Sequence, residues 1–566
     1  MPSRKRILVV GGVAGGMSFA ARARRLDNNA DIIVFEKGDE VSYANCGLPY
    51  FVSGEIENQS SLLVQTPASL KAALDLDVRT GHLVTGIDTE RRVVRVFESP
   101  DATEPTEFEY DELVLSPGMF SGIADYPGVT EVRSRLSTLR TVPDAIQLES
   151  IAQSASSAVV LGGGYIGVEA AEALRSRGLE VHLVQRSAHV LTHLETELAS
   201  YITTELEANG VVIHANAQPT GFSERDGQLV VALSNDSEIV TDHAVIALGG
   251  VPATQIAPES IAKTDRGLII VDENGRTSAP NIWAVGDAVT HVDPITGALR
   301  SVALAGPANR DGRYIADAML STSFRPRPAA LGTSIVRVFG LAAGATGANS
   351  RELIAAGIPF ETLHLHANSH AGYFPGSEAI HLVAYFATDG DERGRIYGAQ
   401  AVGRDGIDKR IDVIATAIRG GMTIDQLADL DLSYAPPFGS AKDAVQMVGF
   451  VAQNVLDGTT TLWQARDLEK VMAESLILDV RRADEFATGH LPGALNVPHT
   501  ELRERLDEVI AAANGRPVRA HCAAGIRSYL AHRVLVAAGL DSASLSGGMQ
   551  TLIAYHGKDI LTHEDN

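Results

Sequence analysis

Cysteine occurs twice in 566 residues, at Cys46 and Cys522, and each stands in a segment that can make sulfur reactive. Cys46 lies in Ser42-Tyr43-Ala44-Asn45-Cys46-Gly47-Leu48-Pro49-Tyr50. Cys522 ends the run Val518-Arg519-Ala520-His521 and opens the loop Cys522-Ala523-Ala524-Gly525-Ile526-Arg527, with a helix expected from Ser528. The thiolate is the nucleophile, so a reactive cysteine needs N–H donors or positive field around it. A loop of small residues entering a helix can wrap backbone N–H groups around a sulfur anion, with the helix N-terminus beneath. Arg527 closes that loop with a cation that stays charged. Cys46, near a helix start, is expected to have a depressed thiol pKa. Two cysteines exclude a disulfide framework and a four-cysteine metal site.

These thiols need elements to position them. Ile7-Leu8-Val9-Val10 reads as a buried parallel strand. It enters Gly11-Gly12-Val13-Ala14-Gly15-Gly16, followed by a helix over 17–26 and the run Ile32-Ile33-Val34-Phe35, which ends on Glu36 and Lys37. This is a dinucleotide fingerprint with Val13 at position three. Glycines let the backbone approach a pyrophosphate, and Glu36 is placed to accept from an adenosine ribose. The pattern recurs with full glycine spacing in Ala158-Val159-Val160-Leu161, Gly162-Gly163-Gly164-Tyr165-Ile166-Gly167 and a helix over 168–177 that carries Glu169. Its next strand, Val181-His182-Leu183-Val184, ends on Gln185-Arg186. An acid there would select NADH; a neutral residue beside Arg tolerates the 2′-phosphate of NADPH, so NAD(P)H use stays open. Asn281-Ile282-Trp283-Ala284-Val285-Gly286-Asp287 then resumes the first fold. Ser116-Pro117-Gly118 and Gly249-Gly250-Val251-Pro252 mark the crossings between the two.

Bulk composition sets outer limits. The length suggests roughly three to four domains. Apolar residues make up 45% and charged residues 21%, ordinary for globular chains. A net charge of −23 argues against nucleic acid and anionic lipid as partners. Gly11-Gly12 ends the N-terminal apolar run too early for a signal peptide. No apolar run reaches the ~18 residues of a membrane helix. A soluble, cytoplasmic protein with no membrane association is expected.

Together the two glycine loops and the Gly-Asp strand resemble the pyridine nucleotide–disulfide oxidoreductase family. That resemblance implies FAD on the first fold, held by Gly11, Ala14, Gly15, Gly16, Glu36, Lys37, Pro117 and Gly118, with the Asp287 carboxylate on the ribityl chain. It implies NAD(P)H on the second, held by Gly162, Gly164, Tyr165, Ile166, Gly167, Glu169 and Gln185. Dithiol members of the family keep two cysteines about five residues apart, whereas Gly47 to Phe51 contains no second cysteine. The Cys46 segment is similar to the coenzyme A-disulfide reductase branch. Peroxidases and oxidases of that branch carry His at the position of Ala14, whose absence counts against a peroxide cycle. The branch implies coenzyme A contacts at Ser42, Asn45, Arg22, Arg25, Lys71 and Asn309.

Residues ~325–455, with Gly332 to Phe339, His370-Ala371-Gly372-Tyr373-Phe374-Pro375-Gly376 and Ser433-Tyr434-Ala435-Pro436-Pro437-Phe438, resemble the branch's α+β dimerisation domain. Tyr373 and Tyr434 would reach across a homodimer to the partner's active cysteine. Beyond the polar stretch Asp457-Gly458-Thr459-Thr460-Thr461, the segments Leu476 to Arg481, Glu485 to Ala494 and Val518 to Arg527 resemble a rhodanese domain. Phosphatases with a similar loop usually have one residue more, so six residues favour sulfur over phosphorus.

The expected fold class is α/β: two nested Rossmann-like dinucleotide-binding domains, an α+β dimerisation domain and a C-terminal α/β rhodanese domain. The expected boundaries are 1–115 with 250–325 for FAD, 116–249 for NAD(P)H, 326–456 for dimerisation and 463–566 for rhodanese. Cys46, Cys522, Tyr373, Tyr434 and Arg527 are the expected catalytic residues. The expected reaction is NAD(P)H-dependent reduction of coenzyme A persulfide or polysulfide to hydrogen sulfide, with coenzyme A as carrier. Coenzyme A disulfide reduction, or an NADH oxidase with an accessory rhodanese, are the alternatives. His364, His366 and His370 are read as structural rather than as metal ligands.

Overall fold

A computed structural model describes residues 4–122 and 126–563. The chain divides into two compact units, Met1–Ala188 with Asn209–Gly332, and His189–Ala208 with Thr333–Asn566.

The first unit contains both nucleotide folds. Arg6–Val10 pairs in parallel with Asp31–Phe35 on one side and Glu112–Leu115 on the other. Asp77–Arg79 and Ile282–Ala284 complete a five-stranded sheet. Ile7, Leu8 and Val9 are fully buried, as an apolar run between two helix layers requires. The second sheet repeats the design, with Ser157–Leu161 between Glu180–Val184 and His243–Ile246, all parallel. Leu136–Ser137 and Val211–His214 form its edges. The helices after the two glycine loops span Ala14–Leu26 and Tyr165–Ser176, each starting three residues earlier than the apolar pattern indicates. Their first turns lie inside the loops, because a helix that presents free N–H groups to a phosphate must begin there.

The second unit has two sheets. Ser334–Val338, Leu341–Gly347, Glu361–Asn368, Ala379–Phe386 and Ile396–Gly403 form an antiparallel sheet. The helices Ile407–Gly420 and Ala444–Leu456 cover it through Ile407, Ile411, Ile414, Val445 and Val448. The other sheet is parallel, built on Leu476–Asp479, Val518–His521 and Ser542–Leu545. The helix after Cys522 spans Ile526–Ala537, two residues earlier than expected, with Gly525 capping it at φ 105°. The α/β class expected from the sequence holds. No helix among the described residues is long and apolar enough to cross a membrane.

Candidate active site

The first glycine loop is a site of close backbone crossing. Gly11 sits at φ +103°, and a Cβ there would lie 2.0 Å from the Ser116 carbonyl oxygen. A Cβ on Gly16 would lie 2.0 Å from the Gly11 carbonyl oxygen. Only glycine allows both approaches. Glu36 braces the loop: its Oε2 accepts the Gly12 N–H at 2.7 Å and its Oε1 the Gly38 N–H at 2.9 Å.

A cavity of about 690 Å³ opens along this loop. Its wall includes Gly11, Ala14, Gly15, Glu36, Lys37, Pro117, Gly118 and Asp287, together with Asn45 and Cys46. The volume lies in the range of small-molecule and cofactor sites. Glycine cradle, loop-bracing acid and a carboxylate at the far wall fit the pyrophosphate, adenosine and polyol parts of FAD. Arg140, which no local pattern marked, donates to Asp287 at 3.2 Å. Burial pushes the Asp287 carboxyl up, against the pull of Arg140.

Cys46 is exposed at the cavity wall, in the short turn Asn45–Gly47 ahead of the six-residue helix Leu48–Ser53. Its N–H donates to Asn45 Oδ1 at 3.1 Å, and its Sγ lies 3.8 Å from the same oxygen. The expected depression of its pKa is corrected. Partial burial, then Glu169 and Asp287, push the thiol up. The short helix offers little dipole, while two carboxylates oppose the thiolate. The segment is folded back by Ser42, which adopts φ 48° and donates its N–H to the Gly12 carbonyl at 2.9 Å.

The second loop repeats the first. Gly162 stands at φ +108°, where a Cβ would meet the Ala247 carbonyl oxygen at 2.3 Å, and a Cβ on Gly167 would meet the Gly162 oxygen at 1.8 Å. Gly164 leaves open space at the start of the helix that carries Tyr165, Ile166 and Glu169. Gln185 Oε1 accepts the Gly163 N–H at 2.9 Å, the counterpart of Glu36 on Gly12. These groups fit a second dinucleotide.

The residues assigned to coenzyme A are held in different ways. Asn45 faces Cys46. Arg22 Nε donates to Asp317 Oδ1 at 2.6 Å, while Arg25, on the same helix, is exposed. Lys71 pairs with Asp75 on the surface. Asn309 accepts from Ser18 Oγ at 2.6 Å.

In the second unit, Cys522 is 1% exposed and its sulfur accepts the Gly525 N–H at 3.1 Å. Ser528 Oγ lies 3.5 Å from the same sulfur and receives a 2.9 Å hydrogen bond from Ser544. Arg527 faces Cys522, but its guanidinium is held by Glu485 at 2.6 and 2.8 Å. Ser528, Ser544 and Glu485 escaped the sequence reading. The serine directly after Arg527 was the available signal for one of them.

Tyr373 and Tyr434 are exposed, and their hydroxyls lie 3.2 Å apart. Two of the three histidines, His364 and His366, tie the two sheets of this unit together. His364 Nε2 meets Glu197 at 2.6 Å and its Nδ1 meets Ser546 at 2.9 Å. His366 bonds His381 at 2.7 Å and Thr551 at 2.8 Å. His370 is buried against the Ala371 carbonyl at 3.2 Å. Glu197 is pushed up by burial, yet its bond to His364 outweighs that and holds it below the usual carboxylate range.

Three family models match the chain. Pyridine nucleotide-disulphide oxidoreductase matches residues 5–308, its dimerisation domain matches 333–445, and a rhodanese-like domain matches 460–554. The chain is 32% identical to coenzyme A disulfide reductase of Staphylococcus haemolyticus over 454 residues, 80% of this chain and 100% of that protein. The crystal structure of reduced Bacillus anthracis CoADR-RHD shares 38% identity and a TM-score of 0.93, covering 98% of each chain. A NAD-dependent persulfide reductase from A. fulgidus shares 32% identity and a TM-score of 0.87, covering 96% of this chain and 99% of that one.

Proposed function

The chain belongs to the pyridine nucleotide-disulphide oxidoreductase family, with a rhodanese-like domain following its dimerisation domain, and on that premise we propose that it reduces persulfide sulfur with NAD(P)H. The substrate is coenzyme A persulfide, formed with sulfane sulfur from polysulfide or a similar donor, and the product is hydrogen sulfide. One observation carries the reading: a lone cysteine, Cys46, lines the cofactor cavity, while the chain's other cysteine sits in a sulfur-cradling loop. A single thiol at such a cavity needs an external sulfur partner to cycle. The likeness to a coenzyme A disulfide reductase and to a persulfide reductase supports it.

FAD and NAD(P)H are the family's cofactors. When bound in the cavity lined by Gly11, Glu36 and Asp287, FAD would supply the two-electron redox chemistry that links a nicotinamide hydride to sulfur. We assign FAD to 1–115 with 250–325, NAD(P)H to 116–249, dimerisation to 326–456 and the rhodanese fold to 463–566. Gly11, Gly16 and Glu36 shape the pyrophosphate and adenosine ends of the first site, and Asp287 the polyol end. Gly162, Gly167 and Glu169 serve the second.

The Cys46 thiolate attacks the coenzyme-bearing sulfur of the persulfide. A Cys46–coenzyme A disulfide bond forms, the sulfur–sulfur bond of the persulfide breaks, and HS⁻ leaves. Two electrons then return the Cys46 thiolate and coenzyme A. Asn45 Oδ1 fixes the Cys46 turn. Ser42, Arg25 and Asn309, with Arg22 and Lys71 through shared pairs, form the coenzyme A surface. Upstream, the Cys522 thiolate attacks the terminal sulfur of the polysulfide donor, whose S–S bond breaks and whose shortened chain leaves as an anion, and the resulting persulfide anion is stabilised by Gly525 N–H, Ser528 and Arg527. Coenzyme A thiolate removes the outer sulfur and frees Cys522. Fusion raises the concentration of one site at the other. The enzyme works as a cytoplasmic homodimer, whose exposed Tyr373 and Tyr434 pair donates to sulfur in the partner's site.

The test is anaerobic NADH and NADPH oxidation with coenzyme A persulfide, with sulfide quantified. Sulfide in step with NAD(P)H, abolished in Cys46→Ser, supports the reading. Turnover only on coenzyme A disulfide or oxygen, without sulfide, overturns it.

A further inference from the structure

The two nucleotide folds differ at the residue that ends their second strand, and the difference bears on which pyridine nucleotide is used. The argument rests on the reading of 116–249 as the NAD(P)H site. In the first fold Glu36, at the end of the second strand, accepts two backbone N–H groups, through Oε2 from Gly12 at 2.7 Å and through Oε1 from Gly38 at 2.9 Å. In the second fold Gln185 takes that place after Glu180–Val184 and is 9% exposed. Its Oε1 accepts the Gly163 N–H at 2.9 Å. The acceptor atom of the amide is therefore engaged, and Nε2, a pure donor, has no hydrogen-bond partner among the described residues. A carboxylate at this point accepts from a ribose 2′-hydroxyl and repels a 2′-phosphate. A neutral donor does neither.

The neighbouring backbone holds the next residues in place. The Ala217 N–H donates to the Gln185 carbonyl at 3.1 Å and the Asn216 N–H to the Ser187 carbonyl at 3.2 Å. Residues 185–187 are thereby clamped against 216–217. Between the clamped residues Arg186 is exposed and forms no ion pair with any described residue. Neither 185–188 nor 213–217 contains an acid. One guanidinium, one hydroxyl and one amide donor, with no carboxylate, match the charge and valence of a phosphate monoester dianion.

We propose that Arg186, with Gln185 and Ser187, forms a 2′-phosphate pocket, and that the chain prefers NADPH to NADH. Arg186 and Gln185 are specificity-determining residues of the second dinucleotide site.

Calorimetric titration of the full-length, FAD-loaded protein with NADP⁺ and with NAD⁺ tests this without turnover. NADP⁺ is expected to bind about tenfold or more tightly than NAD⁺, as a charge-assisted phosphate contact provides. Arg186→Ala is expected to remove most of that advantage and leave NAD⁺ binding unchanged, which also reports that the site is folded. Gln185→Glu is expected to invert the preference. NAD⁺ binding as tightly as NADP⁺, an unchanged ratio in Arg186→Ala, or loss of both nucleotides in that variant overturns the pocket while leaving the sulfur chemistry standing. Failure of the native protein to bind either nucleotide overturns both the pocket and the domain assignment beneath it.

Discussion

Arg527 and Glu485 meet in a two-pronged ion pair, 2.6 and 2.8 Å, at the mouth of the Cys522 loop. The pair holds the Glu485 carboxyl down to about 2, so it stays charged throughout the working range. The guanidinium that closes the loop is therefore already paired with an internal carboxylate. Glu485→Gln should release the guanidinium's field toward anionic sulfur donors. The expected result is a KM for thiosulfate about three- to tenfold lower with kcat little changed, the size of one freed charge near a partly screened site. A raised KM would instead assign Glu485 to holding Arg527 in place.

Cys46 faces the opposite electrostatic situation. Partial burial, Glu169 and Asp287 all push its thiol up. Its alkylation by iodoacetamide in the protein without bound coenzyme should therefore rise with pH through a midpoint above the ordinary cysteine range of about 8.5. Glu169→Gln removes one opposing charge, so that midpoint should move down. A midpoint unmoved in Glu169→Gln would remove Glu169 from the causes and leave burial and Asp287.

The histidines joining the two sheets of the second unit predict acid sensitivity. Burial holds His366 down to about 3 and His381 to about 4, and for His366 the neighbouring His381 and His364 add to it. The unfolded chain binds these protons near pH 6.5, and the folded chain does so only well below. Their stabilisation is complete above pH about 6.5 and is lost as pH falls from there toward 4 and then 3. Protection of amide hydrogens at 361–368 and 546–551, relative to the unfolded chain at the same pH, should fall over that window. His381→Phe keeps the ring that stacks 3.9 Å from Tyr201 but removes one titrating group, and should flatten the slope.

Local signals found both glycine loops, because strand, turn and helix there are contiguous and each glycine answers to a backbone atom nearby in sequence or in the adjacent strand. The Cys522 loop was legible for the same reason. The long-range partners at the two sites were not. Glu485 lies 42 positions from Arg527 and Arg140 lies 147 positions from Asp287, and no periodicity encodes such pairs. The Cys46 pKa was misread because Glu169 reaches it from the other nucleotide fold, while the helix after it has only six residues. The segment His189–Ala208 lies between two strands of the second nucleotide fold in sequence, Glu180–Val184 and Val211–His214, yet packs in the second unit, where Glu195 accepts from Tyr385 at 2.7 Å.

Gly548 separates the two sulfur sites experimentally. It stands at φ +64°, and a Cβ there would lie 2.6 Å from the Cys522 carbonyl oxygen and 2.8 Å from the Ala523 carbonyl carbon. The next two N–H groups, of Met549 and Gln550, bond those same carbonyls at 2.8 and 3.0 Å. Gly548→Ala must therefore displace the backbone that shapes the sulfur cradle, with left-handed strain of about 1–2 kcal/mol added. Sulfur transfer from thiosulfate to cyanide should fall about tenfold or more, since tenfold is only about 1.4 kcal/mol. Reduction of preformed coenzyme A persulfide depends on Cys46 and should stay near the native rate in the same variant. Equal loss of both activities would mean that Cys522 takes part in every turnover rather than only in loading the carrier.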